Sequence, residues 1–246
     1  MVRRVIRVEP GLLSIEQRLR VSDIETGTDA SGPLCVLAAV EVTRGEIRYR
    51  RGSALVTAPQ RYTLFLPPFA LVQAVLTRCE VTSVAIAFRP SFPDHVLSPA
   101  ARLCPGSAAL PASRLAALRC VRSLADDTSI DRGLEPGRLA RSAKRLIDAE
   151  YGGLLRIGEL AVRLRTSPAA LSRAFTRAYG IPPVRYRHHV RVMDALMRFS
   201  DGALPADVFQ DVGFEDLSRF YKVFRKITCA PPGAYRLRVK KRQDVR

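Results

Sequence analysis

The sequence predicts an α+β protein in which an N-terminal antiparallel β-roll precedes a wholly helical region. Three observations carry this prediction. Short apolar or alternating runs rich in Val, Thr, Tyr and Phe fill residues 34–90. From Arg138 onward the strand signals end and helical periodicity replaces them. Within the helical part a short helix, a tight turn and a second helix occur twice, so we expect two similar units joined by a longer helix.

The charge of the chain is concentrated in its helical part. The 246 residues carry a net charge of +17. Residues 1–136 hold 17 Lys or Arg against 13 Asp or Glu, whereas residues 137–246 hold 23 against 10. Because a strong basic field attracts polyanions, we expect the second half to face one.

No catalytic site, metal site or cofactor is predicted. The three histidines do not cluster, and the cysteines are scattered without a C-x-x-C pair. We expect reduced and mostly buried thiols at Cys35, Cys79, Cys104, Cys120 and Cys229. No run approaches the roughly 20 apolar residues that span a bilayer, and the start lacks the apolar core of a secretory signal, so we expect a cytoplasmic protein with no membrane partner.

Composition shifts divide the chain into four parts. Residues 1–105 are β-rich, 106–136 hold a helix and a polar linker, 137–236 are helical, and 237–246 form a basic tail. The helix before the linker has Ser113 as a cap and would either pack on its own sheet or pair with a second copy of the chain, which would make a homodimer. Its predicted apolar stripe consists of Leu115, Leu118, Val121 and Leu124. The tail is either a flexible basic arm or a solubilising terminus.

The first repeated unit follows a helix predicted over residues 138–150. A short helix over 157–164 meets a break at Arg165, and Ser167 with Pro168 gives a strong start signal for a second helix that Gly180 closes. The buried stripe of this second helix comprises Leu171, Ala174, Phe175 and Ala178. Small, polar and basic residues remain outside, which is the pattern of a helix-turn-helix.

The second unit repeats the pattern 49 positions later. Residues 205–212 form its first helix, Gly213 its turn, and Asp216 caps its second helix. That helix carries an apolar stripe of Phe220, Val223, Phe224 and Ile227. A connecting helix of roughly 17 residues spans about 25 Å. Adding the helix diameters brings the two second helices to about 34 Å apart, one turn of B-DNA.

Residues 157–236 resemble the DNA-binding domain of the AraC/XylS transcription regulators. In the first unit the resemblance rests on "ELAVRLRTSPAALSRAFTRAYGIPPVRYRHHVR", with its L-A, S-P, L-S-R-x-F-x-R and G spacing. In the second it rests on "DVFQDVGFEDLSRFYKVFRK" followed by "PPGAYR". The resemblance implies a double helix-turn-helix domain preceded by a cupin-like domain that binds an effector or dimerises, here in a shortened version over residues 34–90.

The sequence departs from the family pattern at several positions. Phe209 stands where the family usually has Ala, so the helix around it must repack. Thr228 and Cys229 replace the usual Phe and Gly, and Arg165 replaces a frequent Gly in the first turn. Leu217 would offer DNA only an apolar contact, such as one to a thymine methyl group.

The resemblance also implies a set of DNA contacts. Residues expected to reach base edges are Ala169, Ser172, Arg173, Leu217, Ser218, Arg219 and Lys222. Arg can donate two bonds to guanine, and Ser can donate or accept, so chemistry supports part of this set independently. Residues expected to meet phosphates are Arg177, Arg185, Arg187, Arg225 and Lys226.

The first half gives no ligand site of comparable clarity. Arg48, Arg50, Arg51 and Arg61 could hold an anionic effector or could be solvated positions on strands. A metal-dependent cupin needs clustered histidines and a carboxylate, and this region has no histidine before His95.

The leading hypothesis is a sequence-specific transcription regulator without enzymatic activity, with double-stranded DNA and RNA polymerase as partners. One alternative is a DNA-repair protein with a methyl-accepting cysteine, which would need a metal-activated cysteine cluster that the scattered cysteines do not supply. Another is a sensor or interaction protein that has lost DNA binding. Salt dependence separates it from the first hypothesis, because phosphate contacts weaken steeply with salt.

Overall fold

A computed structural model describes residues 2–9, 11–51, 54–89, 101–106, 110–122, 137–153, 156–233 and 235. In this part of the chain eight strands precede seven helices. The strands are β1 (Val2–Glu9), β2 (Leu12–Arg20), β3 (Ile24–Ala30), β4 (Cys35–Arg51), β5 (Ala54–Thr57), β6 (Arg61–Leu66), β7 (Leu71–Phe88) and β8 (Arg102–Pro105). The helices are α1 (Arg114–Arg122), α2 (Arg138–Glu150), α3 (Ile157–Arg163), α4 (Pro168–Tyr179), α5 (Pro183–Ser200), α6 (Pro205–Asp211) and α7 (Leu217–Thr228).

The strands form one antiparallel sheet built on two long members, β4 and β7, which pair along most of their length. The first half of β7 also pairs with β3, and its second half pairs with β2. The β4–β7 register shifts around Arg44, where Gly45 has a φ of +72° and a Cβ would clash with the Arg78 carbonyl oxygen. The bulge lets β4 bend without ending, so the sheet curls around a core that includes the hydrogen-bonded pair Tyr49 and Tyr62.

The predicted antiparallel sheet is confirmed as a class, but its extent was wrong in two respects. Three strands precede residue 34, in a stretch that was predicted to be β-rich but without individual strands, because runs such as the mostly exposed IETGTDA of β3 lack apolar alternation. In addition, the runs LCVLAAVEV and EIRYR belong to one strand, as do LVQAVL and VTSVAIAF. The polar residues between these apolar runs lie within β4 and β7 and do not end the strands.

Helix α1 packs on its own sheet. Ala117 and Val121 are buried against a cluster that includes Leu37 and Phe88, and the Ser113 Oγ accepts a hydrogen bond from the Ala116 amide at 3.3 Å, as predicted. Leu115 was wrongly placed in the buried stripe, since its side chain is 58% exposed. The predicted Leu124, the linker over 126–136 and the basic tail lie outside the described residues.

Two of the arginines considered for an anionic effector are already neutralised within the sheet. Arg48 forms an ion pair with Glu46, and Arg61 forms one with Glu41 at 2.7 Å. Each of these two charges therefore has a carboxylate partner within the sheet.

The helical domain is organised around α5, which separates two apolar clusters. The first half of α5 joins α2, α3 and α4 in a cluster that includes Leu171, Phe175 and Tyr186. The second half joins α6 and α7 in a cluster that includes Phe220 and Phe224. Each helix-turn-helix unit thus has its own core with α5 as the shared wall.

The sheet also packs on α5, which the sequence did not predict. Most of the second half of α5 is buried. Leu13 of β2 enters the core of the second unit, and Gly32 lies so close that a Cβ there would be 2.7 Å from the Met193 Cβ. The Arg89 guanidinium donates to the buried Asp194 carboxylate at 2.7 Å. The sheet and the helices therefore share one interface along α5.

A membrane-spanning helix is absent from the described part of the chain, where no helix combines the length and apolar character needed to cross a bilayer.

Candidate nucleic-acid interface

The first helix-turn-helix unit has the caps that its sequence predicts. Ser167 accepts a hydrogen bond from the Ala170 amide at 3.2 Å and so starts α4. Gly180 ends the helix in the left-handed conformation, with φ +74°. Arg165 also adopts a left-handed conformation, φ +51°, which is the backbone region that favours glycine. The departure from the family pattern therefore leaves the turn geometry in place.

The second unit repeats this geometry with different residues. The Asp216 carboxylate accepts a hydrogen bond from the Arg219 amide at 2.6 Å and caps α7. Cys229, which replaces a glycine of the family pattern, ends the helix with φ +59°. The Thr228 hydroxyl lies 2.9 Å from the Phe224 carbonyl oxygen and 2.8 Å from that of Ala230, within hydrogen-bond distance of both. Phe209 is accommodated by partial burial against the second core.

In both second helices the predicted apolar face is inward and the predicted polar face is outward. Leu171 and Phe175 are buried in α4, and Phe220 and Phe224 are buried in α7. Half-buried positions are Ser172 and Arg187. The other residues predicted to contact DNA are exposed, namely Ala169, Arg173, Arg177, Arg185, Leu217, Ser218, Arg219, Lys222, Arg225 and Lys226.

The cationic side chains of this predicted set form no ion pair within the described residues. Some basic residues of the same domain away from these faces do pair with carboxylates. Arg163 binds Glu150 at 2.7 Å, and Arg198 lies between Asp194 and Asp211. The two outward faces therefore carry positive charge that the protein does not neutralise, which is what an interface for a polyanion requires.

A shallow cleft between the two units gathers further cations that sequence reasoning missed. It is lined by Arg156, Arg187, His188, Arg191, Glu215 and Arg219, together with the turn at Gly213 and Phe214. Arg156 precedes α3, while Glu215 and Arg219 belong to the second unit. The only sequence signal was the dense basic run RYRHHVR, which does not reveal that residues from the other helices approach it.

Arg191 is held rigidly at the base of the cleft. Its Nε donates to the Tyr151 carbonyl oxygen at 2.6 Å and its Nη2 to that of Gly153 at 2.7 Å, while the guanidinium lies 5.5 Å from the Phe214 ring centroid. Burial is the main cause that lowers the pKa of Arg191 to about 10, and the positive charges of Arg187 and Arg219 contribute to the same shift. Burial and Arg219 likewise lower the pKa of Arg187, against the opposing influence of Glu215.

His188 lies close to the same positively charged arginines. Its ring stacks on Phe214 with centroids 5.7 Å apart. Burial, together with the positive charges of Arg187, Arg191 and Arg219, lowers the pKa of His188 from 6.5 to about 4. The imidazole is therefore neutral at pH 7.

This shift predicts that His188 makes the protein less stable in mild acid. The folded-state pKa lies below the unfolded value of 6.5, so between pH 6.5 and about 4 the unfolded chain takes up the proton first and stability falls with pH. We expect His188→Gln to lose less unfolding free energy than the wild type between pH 7 and pH 5, measured by urea denaturation. The carboxylates common to both proteins cancel in the difference. Equal losses would contradict the assigned pKa.

The described residues contain no group of His, Cys, Asp and Glu side chains that could hold a metal ion. Among the cysteines, Cys35 and Cys79 are buried, whereas Cys229 is exposed. Burial was therefore predicted correctly for the first two and wrongly for Cys229, which sits at the exposed end of α7.

Comparisons with known proteins point to the same part of the chain. A family model described as "Helix-turn-helix domain" matches residues 160–238. The arabinose operon regulatory proteins of Salmonella typhimurium and Escherichia coli are each 35% identical over 81 residues, which is 32% of this chain. The match spans only 29% and 28% of those relatives, respectively. A solved structure of ToxT from Vibrio cholerae, 12% identical, aligns with 92% of this chain and 98% of its own at a TM-score of 0.49.

Proposed function

Because residues 160–238 are a helix-turn-helix domain of the AraC type, we propose that this chain is a sequence-specific DNA-binding transcription regulator. The observation that carries the proposal is the pair of outward faces on α4 and α7. Each face lies opposite a buried aromatic core and carries cations without a carboxylate partner among the described residues. Surfaces of this kind bind phosphate backbones and present side chains to base edges.

In the proposed arrangement α5 is the spacer between two readers, the base-contacting helices α4 and α7. Its 18 residues correspond to about 27 Å at 1.5 Å per residue, so α4 and α7 can enter successive major grooves on one side of the duplex. In the first unit Arg173, Ser172 and Ala169 approach the bases. In the second unit Lys222, Ser218 and Leu217 do so, while Arg177, Arg185, Arg225 and Lys226 position the domain on phosphates.

The N-terminal sheet is proposed to regulate the readers. It contacts α5, the helix that both units share, and these contacts include the Arg89–Asp194 ion pair at 2.7 Å. Binding of an effector to the sheet, or pairing of two chains through it, would then alter the position of the readers. RNA polymerase is the proposed partner at the promoter, and no enzymatic activity is part of the proposal.

Selection of bound sequences from a random duplex pool tests the two-reader arrangement. We expect the wild type to enrich two short motifs about one helical turn apart. Arg173→Ala should relax only one motif and Lys222→Ala only the other. Loss of one base contact corresponds to about 1–3 kcal/mol, or roughly 5- to 150-fold in discrimination at that position.

Arg163→Ala is the matched control for these variants. Arg163 is an exposed arginine of the first unit that binds Glu150 and does not belong to either face, so both motifs should persist. If both face variants relaxed the same motif, the assignment of one reader to each unit would be wrong. If no motif were enriched and binding did not weaken with salt, the alternative of a protein-facing module would replace the proposal.

A further inference from the structure

The cleft between the two units differs from an ordinary basic surface because its charges come from separate elements. Arg156 approaches from the start of α3, Arg187 and Arg191 from α5, and Arg219 from α7. Glu215 is the one carboxylate among the lining residues. Tertiary folding thus brings four guanidinium groups close to a single carboxylate. The guanidinium groups repel one another, and side chains on an open surface would normally move apart to reduce that repulsion.

Two of the four arginines are not free to move apart. Arg191 is only 5% exposed and is fixed by the carbonyl oxygens of Tyr151 and Gly153. Its guanidinium has no carboxylate partner in the described part of the chain. The Nε of Arg187 is buried and has no hydrogen-bond partner among those residues. A buried donor without an acceptor is unfavourable, and an anion in the cleft would supply the acceptor.

The shape of the cleft selects a small and highly charged ligand. The cleft has a volume of about 50 Å³ and opens to solvent, and the Phe214 ring, which stacks against His188 and Arg191, forms part of its lining. Guanidinium groups arranged around such a space match the oxygens of a tetrahedral phosphate, which accepts several charge-assisted hydrogen bonds at once.

We propose that this cleft binds one phosphate group, and that in the complex with DNA this group is a backbone phosphate lying between the two base-reading faces. The assignment rests on the proposed function, because it explains how the spacing between α4 and α7 is fixed on the DNA. It adds Arg156, His188 and Arg191 to the interface and makes Arg219 a phosphate contact rather than a base contact. A phosphate held between the units fixes their spacing on the duplex without reading sequence.

Phosphate binding in the cleft also has a protonation signature. Around His188 the charged or titratable groups are Arg187, Arg191, Arg219 and His189, and Arg156 and Glu215 line the same cleft. The excess positive charge lowers the pKa of His188 in the free protein. A bound phosphate offsets that charge, so the pKa of His188 rises and binding takes up a proton in mild acid.

The first arm of the test uses inorganic phosphate and the full chain. We expect the imidazole NMR signals of His188 to shift saturably as phosphate is added, and the pKa of His188 to rise. Arg187→Gln should weaken this response on the order of tenfold, since it removes charge-assisted hydrogen bonds. Arg163→Gln, which removes an exposed arginine that pairs with Glu150 outside the cleft, should respond as the wild type does, and unfolding midpoints verify that both variants are folded.

The second arm distinguishes a DNA phosphate from a free one. Duplexes carrying the selected site receive a single neutral methylphosphonate at each backbone position in turn. We expect one position between the two motifs to weaken wild-type binding about tenfold while leaving Arg187→Gln unaffected, and Arg187→Gln to lower the salt slope by about one.

The outcomes separate this proposal from the proposed function. If DNA is bound specifically but no backbone position responds differently in wild type and Arg187→Gln, the DNA phosphate in the cleft is disproved while the regulator stands. If inorganic phosphate shifts His188 but DNA is not bound specifically, the cleft is a site for a free phosphate compound and the proposed function fails. If phosphate does not shift the His188 signals and no methylphosphonate position distinguishes wild type from Arg187→Gln, the phosphate site is disproved outright.

Discussion

Replacing Gly213 with alanine is expected to lower the free energy of unfolding by on the order of 3 kcal/mol or more, because two independent costs coincide there. The residue has φ +91°, a conformation that residues with a Cβ adopt only with strain. The added Cβ would also lie 2.5 Å from the Gly152 carbonyl oxygen and 2.7 Å from the Arg191 Nη2. Neither neighbour yields easily, since the first is backbone and the second is hydrogen-bonded to Gly153.

Gly202→Ala is the matched control for this substitution. Gly202 has φ +95° but a Cβ there would meet no atom within 4 Å, so only the backbone strain of about 1–2 kcal/mol should appear. Urea denaturation of both variants measures the difference, which reports the crowding between the second turn and the α2–α3 connection. Equal losses in the two variants would mean that Gly152 and Arg191 move aside without cost.

The Gly213 substitution should also affect DNA binding beyond its effect on stability. Arg191 and Phe214 form the base of the cleft, and both adjoin the added methyl group. At a temperature where the variant is folded, we therefore expect weaker binding of a duplex than Gly202→Ala shows, measured by fluorescence anisotropy.

Phe220→Ala is expected to cost about 3–5 kcal/mol of stability because it empties the centre of the second core. The ring is fully buried and contacts Phe214, Phe199 and Phe224 at centroid distances of 5.2, 6.3 and 5.5 Å. No one neighbour can fill the space without breaking contacts with the other two. Tyr221→Ala is the control, since the adjacent tyrosine is 40% exposed and its loss should change stability little.

The loss should fall mainly on the second unit. The first unit has a separate core that includes Leu171, Phe175 and Tyr186. Selection from a random pool with Phe220→Ala at low temperature should therefore retain the motif read by α4 and lose the motif read by α7. Simultaneous loss of both motifs would show that α5 couples the two cores into one cooperative unit.

Local sequence signals predicted the helical domain well. Ser167 and Asp216 start their helices by accepting amide hydrogen bonds, and Gly180 ends α4 in the left-handed conformation. These devices act within a few residues of the chain, so they can be recognised without knowledge of the fold. The outward faces of α4 and α7 were predicted for the same reason, since helical periodicity fixes which side chains share a face.

The β-roll was harder to predict because strand formation depends on distant partners. β3 is short of apolar residues and is stabilised by pairing with β7, more than 40 positions away in the chain. Gly45 and its neighbours looked like a strand end, whereas the β7 partner carries β4 through a bulge. Leu115 fitted a helical apolar stripe, yet Ala117 and Val121 are the residues that pack against the sheet, and Leu115 is exposed.

By itself, the sequence determined the two helix-turn-helix units, their caps and the residues on their outward faces, because caps and helical periodicity are local properties. Only the tertiary structure decided that the sheet packs along α5 and that Arg156, Arg187, Arg191 and Arg219 meet around His188. Those contacts join residues separated by up to 63 positions, from Arg156 to Arg219. The electrostatic field that lowers the pKa of His188 arises from that convergence, and no local pattern encodes it.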